Sequence, residues 1–120
     1  MSGIPSYRAL TADINKYSAA YRKEAPEVMK AFGELARAAT SAGALDEKTK
    51  ELIAIGISVA IRCDGCIGFH VKALVRLGVT REELNEALGM AIYLGGGPAL
   101  MYSANVLAAF DEFSTASDQN

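Results

Sequence analysis

The chain has 120 residues, 51% of them apolar, and its 12 Lys and Arg against 14 Asp and Glu give a formal net charge of −2. This balance, with Lys and Arg spread along the chain, argues against the concentrated basic stripe that nucleic acid or an anionic membrane surface needs in a partner. The most apolar run, residues 52–61, has about half the length of a bilayer span, and the N-terminus lacks the pattern of a secretory signal. We expect one cytoplasmic domain over residues 1–120, with flexible ends at residues 1–10 and 114–120.

Every stretch with a readable period predicts a helix. Apolar residues recur at helical spacing over residues 11–21, and again from Pro26 until Gly43 ends the pattern. Residues 46–62 are apolar on every side beyond a charged start, so a buried strand is an alternative there. The length of this segment and the N-cap candidate Asp46 favour a helix. A helix that is apolar all round needs cover on every side, which predicts oligomerisation.

Three further helices are predicted after the cysteine pair. The first ends at Gly78, which suits the C′ position of a helix. Thr80 and Glu83 form a capping box for the next helix, which runs to Gly95. Pro98 then opens the last helix. The sequence therefore predicts an all-α bundle of about five or six helices.

Two cysteines in a C-x-x-C arrangement, Cys63 and Cys66, are the main candidates for chemistry. In a reducing compartment such a pair is more often redox-active or metal-binding than structural. Cys66 falls in or near a helix first turn, where free N–H groups and the helix dipole stabilise a thiolate. His70, the only histidine, follows four residues later on the same face and can take the thiol proton. Asp64 disfavours a thiolate and Arg62 favours one, so their net effect stays open.

Glu51 is the third type of candidate, near the start of the preceding helix. If the two helices form an antiparallel hairpin, Glu51 and His70 are offset from the turn by comparable but unequal distances, so spacing alone does not establish a contact. A solvated carboxylate that stabilises the helix dipole is the simpler alternative for Glu51. Glu51 and His70, together with Cys63 and Cys66, could also supply four zinc ligands.

The pattern Glu51-x11-Cys63-x2-Cys66-x3-His70 resembles the active-site motif of the alkylhydroperoxidase D-like proteins in the carboxymuconolactone decarboxylase superfamily. The flanking segments at residues 43–53, 80–88 and 95–99 are similar as well. The resemblance covers about residues 17–113. It implies an all-α fold, assembly into homotrimers or homohexamers, and thiol-dependent reduction of peroxides with no cofactor.

The resemblance also implies a role for each residue of the motif. Cys66 is expected to attack the hydroperoxide as a thiolate and become a sulfenic acid, which Cys63 resolves to a disulfide. His70 is expected to be the base that activates Cys66, and Glu51 to orient His70. The implied electron donor is a dithiol, which in the best-studied members is a dihydrolipoyl group on a partner protein.

Other functions stay open beside the peroxidase. The same dithiol suits a general protein disulfide oxidoreductase, and a thioredoxin-like fold also presents C-x-x-C at a helix start. Three features argue against that fold. No Trp precedes Cys63, the two residues between the cysteines are Asp64 and Gly65 with no Pro, and the segments on either side of the motif are predicted to be helical. A lyase of the carboxymuconolactone decarboxylase type needs no C-x-x-C. Zinc binding or a non-catalytic oligomeric role completes the alternatives.

Overall fold

The computed structural model describes residues 3–115, which contain six helices and no strand. The helices are α1 (Tyr7–Glu24), α2 (Pro26–Thr40), α3 (Glu47–Ala60), α4 (Asp64–Arg76), α5 (Arg81–Gly95) and α6 (Gly97–Phe113). The all-α prediction is confirmed, and both the strand over residues 46–62 and the thioredoxin-like fold are wrong. Across the described chain, no helix has the length and apolar character needed to cross a membrane. Most of the predicted flexible end, residues 116–120, lies outside the described residues.

Helices α3 and α4 form an antiparallel hairpin. Asp46 caps α3 by accepting a hydrogen bond from the N–H of Thr49 at 2.8 Å. Glu47, the first residue of α3, pairs at 3.0 Å with Arg76, the last residue of α4. This ion pair is exposed and contributes little to stability. It shows that the start of α3 lies beside the end of α4, at the end of the hairpin away from the link.

The link between α3 and α4 is a Schellman motif. The N–H of Arg62 donates to the carbonyl of Val59 at 3.2 Å, and the next N–H, that of Cys63, donates to Ser58 at 3.0 Å. Arg62 has φ 58°, a left-handed conformation that costs a residue with a Cβ about 1–2 kcal/mol. The same motif closes α4, where Gly78 has φ 78°, as predicted for this glycine. The sharp turn at Arg62 brings Cys63 to the start of α4.

The core lies where α3, α4, α5 and α6 meet. It consists of aliphatic side chains and one phenylalanine, with a tyrosine from α1, and its largest fully buried members are Tyr7, Ile55, Val59, Ile67, Val71, Leu74, Leu84 and Val106. The predicted capping box opens α5 with both of its hydrogen bonds, between Thr80 and Glu83. Glu83 also pairs with Lys48 at 2.8 Å, which joins the start of α5 to the start of α3.

Helix α1 begins at Tyr7, four residues before the predicted helix, so residues 7–10 of the predicted flexible end are helical. The carboxylate of Glu112 in α6 accepts hydrogen bonds from the N–H of Tyr7 at 2.7 Å and from the hydroxyl of Ser6 at 2.6 Å. A carboxylate at a helix N-terminus also interacts favourably with the helix dipole. The first turn of α1 is therefore ordered by α6.

Helix α2 has one apolar face, but none of its residues is buried. Among the described helices it contacts only α1 and α3. Val28, Phe32 and Leu35 form a stripe whose members are 58%, 64% and 63% exposed, and we call it the α2 stripe. The charged residues lie on the opposite side of the helix: Glu27, Lys30, Glu34 and Arg37. Sequence periodicity thus predicts the helix, although its apolar face does not enter the core of the chain.

A groove of about 540 Å³ runs between α3 and α5, and we call it the α3–α5 groove. Its lining is apolar and includes Leu52, Ile53, Ile57, Met90 and Leu94. On the inner side of α3, Ile55 and Val59 are buried in the core, whereas Ile57 on the outer side is 54% exposed. The apolar run at residues 52–61 is therefore covered by its own chain on one side only.

The strain at Arg62 gives a test of the helix link. Arg62→Gly is expected to raise the free energy of unfolding by about 0.5–1 kcal/mol, because glycine adopts the left-handed region freely. Gly78→Ala, at the same position of the second motif, is expected to lower it by about 1 kcal/mol through conformation alone, since a Cβ there has no neighbour within 4 Å. Urea unfolding followed by circular dichroism measures both variants. If Arg62→Gly destabilises the chain as Gly78→Ala does, the left-handed link is wrong.

Candidate functional site

Cys63 and Cys66 are joined in a disulfide, with their Cα atoms 5.2 Å apart. Cys63 is the N-cap of α4, and its sulfur accepts a hydrogen bond from the N–H of Cys66 at 3.1 Å. Cys66 lies in the first turn, as predicted, but the helix N–H reaches the sulfur of Cys63. The reason is that α4 already begins at Asp64, and the side chain of an N-cap residue is the one within reach of that N–H group.

The carboxylate of Glu51 and the imidazole of His70 form a hydrogen bond, with Oε1 and Nδ1 2.7 Å apart. Glu51 is 4% exposed, and the His70 side chain is about one-third exposed. With Glu51 ionised, its carboxylate only accepts hydrogen bonds, and Nδ1 carries the hydrogen and donates it. In the neutral ring Nε2 is then the basic nitrogen. The contact that spacing left open is made, and Glu51 is not the solvated carboxylate of the alternative interpretation.

Helix α4 presents two opposite faces. Cys66 and His70 point within about 40° of each other, because successive residues of a helix are about 100° apart. Asp64 points about 160° away from Cys66, and Gly68 lies one turn below Asp64 on that side. The first face turns to α3, which carries Glu51. Within residues 3–115, the imidazole makes no hydrogen bond to either sulfur of the disulfide.

The second face of α4 packs against α1 through two glycines. A Cβ at Gly68 would lie 2.5 Å from Cγ2 of Thr11, and a Cβ at Gly65 would lie 2.9 Å from Cδ1 of Ile14. Neither distance is compatible with a side chain unless the neighbour shifts, and Thr11 is buried. The glycines that follow Asp64 therefore permit the close approach of α1 to the helix that carries the dithiol.

This approach brings in Tyr7, a residue that the sequence did not single out. Its hydroxyl donates a hydrogen bond to Oδ1 of Asp64 at 2.6 Å, and the side chain is fully buried. Burial, reinforced by the bond to Asp64, raises the pKa of the Tyr7 phenol, so the phenol stays protonated and acts as a donor. The paired glycines at 65 and 68 are the one sequence signal for a neighbouring helix here, and they do not say which helix it is.

The zinc alternative finds no ligand set in the described residues. Within residues 3–115, no group of three or more His, Cys, Asp or Glu side chains is arranged to hold a metal ion. Cys63 and Cys66 are bonded to each other, and Glu51 is bonded to His70. The four predicted residues therefore form two adjacent pairs rather than one coordination sphere.

Known proteins resemble this chain over most of its length. A sequence model of the carboxymuconolactone decarboxylase family matches residues 26–109. An uncharacterised protein of Cupriavidus necator is 41% identical over 99 residues, which cover 82% of this chain and 88% of that protein.

Solved structures resemble the fold as well. A carboxymuconolactone decarboxylase family protein from Legionella pneumophila, in its apo form, has a TM-score of 0.90 and 59% identity, with 91% of this chain and 97% of that chain covered. A family member from Thermotoga maritima, described in connection with an antioxidative response, has a TM-score of 0.69 and 33% identity, with 77% and 95% covered.

Proposed function

The chain belongs to the carboxymuconolactone decarboxylase family, and from this premise we propose that it is a thiol peroxidase that reduces hydroperoxides with the dithiol of Cys63 and Cys66. The observation that carries the proposal is the hydrogen bond between Glu51 and His70, one helical turn from Cys66. A nucleophile beside a base, with the base held by a third group, is the arrangement of an activated nucleophile.

In the first step the reduced Cys66 gives its proton to Nε2 of His70 and attacks the terminal oxygen of the hydroperoxide. The O–O bond breaks, and the alkoxide leaves with the electron pair and takes the proton back as an alcohol. Cys66 is thereby oxidised to a sulfenic acid. The thiolate of Cys63 then attacks the sulfur of Cys66, hydroxide leaves and is protonated to water, and the disulfide forms.

The disulfide must be reduced before the next turnover. A dithiol donor supplies the two electrons by thiol–disulfide exchange and is itself oxidised to a disulfide. We propose a donor of the dihydrolipoyl class, on the basis of the motif alone. The hydrogen bond from the N–H of Cys66 stabilises a thiolate on Cys63, which makes Cys63 a good resolving nucleophile and a good leaving group in the exchange.

Glu51 has two roles in this scheme. It holds the hydrogen on Nδ1, so that the lone pair of His70 is on Nε2 when the thiol proton must be accepted. It also pairs with the positive charge that the ring gains on accepting that proton. Because Glu51 is buried, little water screens this attraction.

A second activity, the exchange of protein disulfides, is favoured by the same N-cap hydrogen bond on Cys63. The two activities differ in their electron acceptor. With one dithiol donor in excess, kcat/KM for an organic hydroperoxide and for a small disulfide can be compared directly. The peroxidase proposal requires the hydroperoxide to be the better substrate, and the reverse order supports the oxidoreductase.

The peroxidase proposal is tested by steady-state reduction of an organic hydroperoxide with a generic dithiol donor. Cys66→Ser is expected to lose nearly all activity, and His70→Ala to lower kcat/KM about 10²- to 10⁴-fold because the base is lost. Cys63→Ser should accumulate a sulfenic acid on Cys66, which dimedone traps for mass spectrometry. Lys72→Ala, an exposed change on the same helix, is the matched control and should keep activity within about twofold.

Two outcomes would contradict the peroxidase proposal. One is wild-type turnover by Cys66→Ser. Cys63 is the only other cysteine of the chain, so the reaction would then use Cys63 and not the proposed nucleophile Cys66. The other is an equal loss of activity in His70→Ala and in the control Lys72→Ala. That result would indicate general damage to α4 rather than the loss of a base.

We further propose that the chain forms a homo-oligomer, as a trimer or hexamer, in which the α2 stripe and the α3–α5 groove are covered by other copies of the chain. The α2 stripe is an apolar ridge with no charged residue on it, and the groove is an apolar channel along α3. Exposed apolar surface bordered by polar residues is a common feature of protein interaction sites. One chain carries both the ridge and the channel, which favours a second copy as the occupant.

The assembly is tested by light scattering coupled to gel filtration. Phe32→Glu in the α2 stripe and Ile57→Glu in the α3–α5 groove are each expected to lower the measured mass, because each places a charge in a buried apolar contact. Lys30→Glu, on the charged side of α2, should leave the mass unchanged. A wild-type mass equal to one chain would contradict the assembly, as would an unchanged mass in both apolar variants.

A further inference from the structure

Asp64 places a negative charge inside the C-x-x-C sequence, where it opposes thiolate formation on both cysteines. It is the first residue of α4, and the first N–H groups of a helix attract any carboxylate within reach. The N–H of Cys66 is one of these groups, and it donates to the sulfur of Cys63. An unrestrained Asp64 therefore competes with the cysteine sulfur for the same helix N-terminus.

Tyr7 removes Asp64 from this competition. Its hydroxyl holds Oδ1 of Asp64 at 2.6 Å on the side of α4 that faces α1, about 160° from Cys66. The phenol is fully buried, and α1 is fixed on both sides of it, by Glu112 at its N-terminus and by the contact of Thr11 with the glycine face of α4. The hydroxyl of Tyr7 is therefore held in place, and a rotation of the Asp64 carboxylate toward the sulfurs would break the hydrogen bond between them.

We infer that Tyr7 is a positioning residue of the dithiol, which holds the carboxylate of Asp64 against α1 and so reserves the N-terminus of α4 for cysteine sulfur. The consequence is a larger thiolate fraction at neutral pH. The inference rests on the proposed function in one respect, that a thiolate is the reacting species. It applies equally to peroxide and disulfide chemistry, because both use that thiolate.

The surroundings of the dithiol make this contact separable from the others. Glu51 and His70 are bonded to each other on the opposite side of α4, and the side chain of Arg62 is exposed. Tyr102 and Asn105 of α6 approach the phenol of Tyr7. The titratable and charged neighbours unchanged in every variant below are Glu51, Arg62, His70, Tyr102 and Glu112.

The test is the rate at which iodoacetamide alkylates the reduced protein as a function of pH, resolved for each cysteine by mass spectrometry. Tyr7→Phe is expected to slow alkylation at neutral pH about three- to tenfold, because the freed carboxylate of Asp64 disfavours the thiolate. Asp64→Asn is expected to leave the rate unchanged or to raise it, since the charge is removed while the amide oxygen still accepts from Tyr7. In the Asp64→Asn background, Tyr7→Phe should change the rate by less than about twofold.

Tyr17→Phe, an exposed change on the same helix, is the matched control and should leave the alkylation profile unchanged. Circular dichroism and thermal unfolding establish that each variant is folded. Equal slowing by Tyr7→Phe in both backgrounds would overturn the proposal, because the effect would not pass through Asp64. So would a rate that Asp64→Asn lowers, a result that stands even if Tyr7→Phe does not fold.

This readout needs neither peroxide nor electron donor. A chain that shows the expected alkylation rates but no peroxidase turnover would support the role of Tyr7 and contradict the proposed function. The two proposals therefore fail in different experiments.

Discussion

A buried carboxylate must have a partner, and for Glu51 the partner is the only histidine of the chain. This hydrogen bond joins α3 to α4 within the hairpin, so it constrains which residues of the two helices lie side by side. The left-handed turn at Arg62 and the ion pair between Glu47 and Arg76 both agree with the register that it requires. The dithiol at the hairpin link is therefore followed, one helical turn along α4, by an imidazole that Glu51 holds in place.

The sequence C-D-G-C-I-G-F-H is explained by the two faces of α4. The face of Cys66 and His70 carries the proposed chemistry, while the face of Asp64 and Gly68 lets α1 approach and hold a charge away from the sulfurs. Each face needs the other, because a nucleophilic thiolate beside an unrestrained carboxylate would be disfavoured. The helix thus contains the reactive pair and the contacts that set its electrostatic environment within two turns.

Local patterns predicted the helices because each signal acts within a few residues, as with the capping box of Thr80 and the C′ glycine at Gly78. The contact between Glu51 and His70 could not be predicted, since their offsets from Arg62 differ by three residues, about 4.5 Å of helix rise, which only the reach of both side chains closes. The early start of α1 depends on Glu112, which is 105 residues from Tyr7. Periodicity also locates the apolar face of α2 without saying what covers it.

In the proposed mechanism, Glu51 acts on the dithiol through His70. A double-mutant cycle in the single-turnover reaction of reduced protein with a hydroperoxide measures this most directly, with Glu51→Gln, His70→Ala and the double variant. Glu51→Gln is expected to slow the reaction about tenfold or more when His70 is present, and to add no further loss in the His70→Ala background. Losses that multiply across the two changes would contradict it, because Glu51 would then act independently of the imidazole.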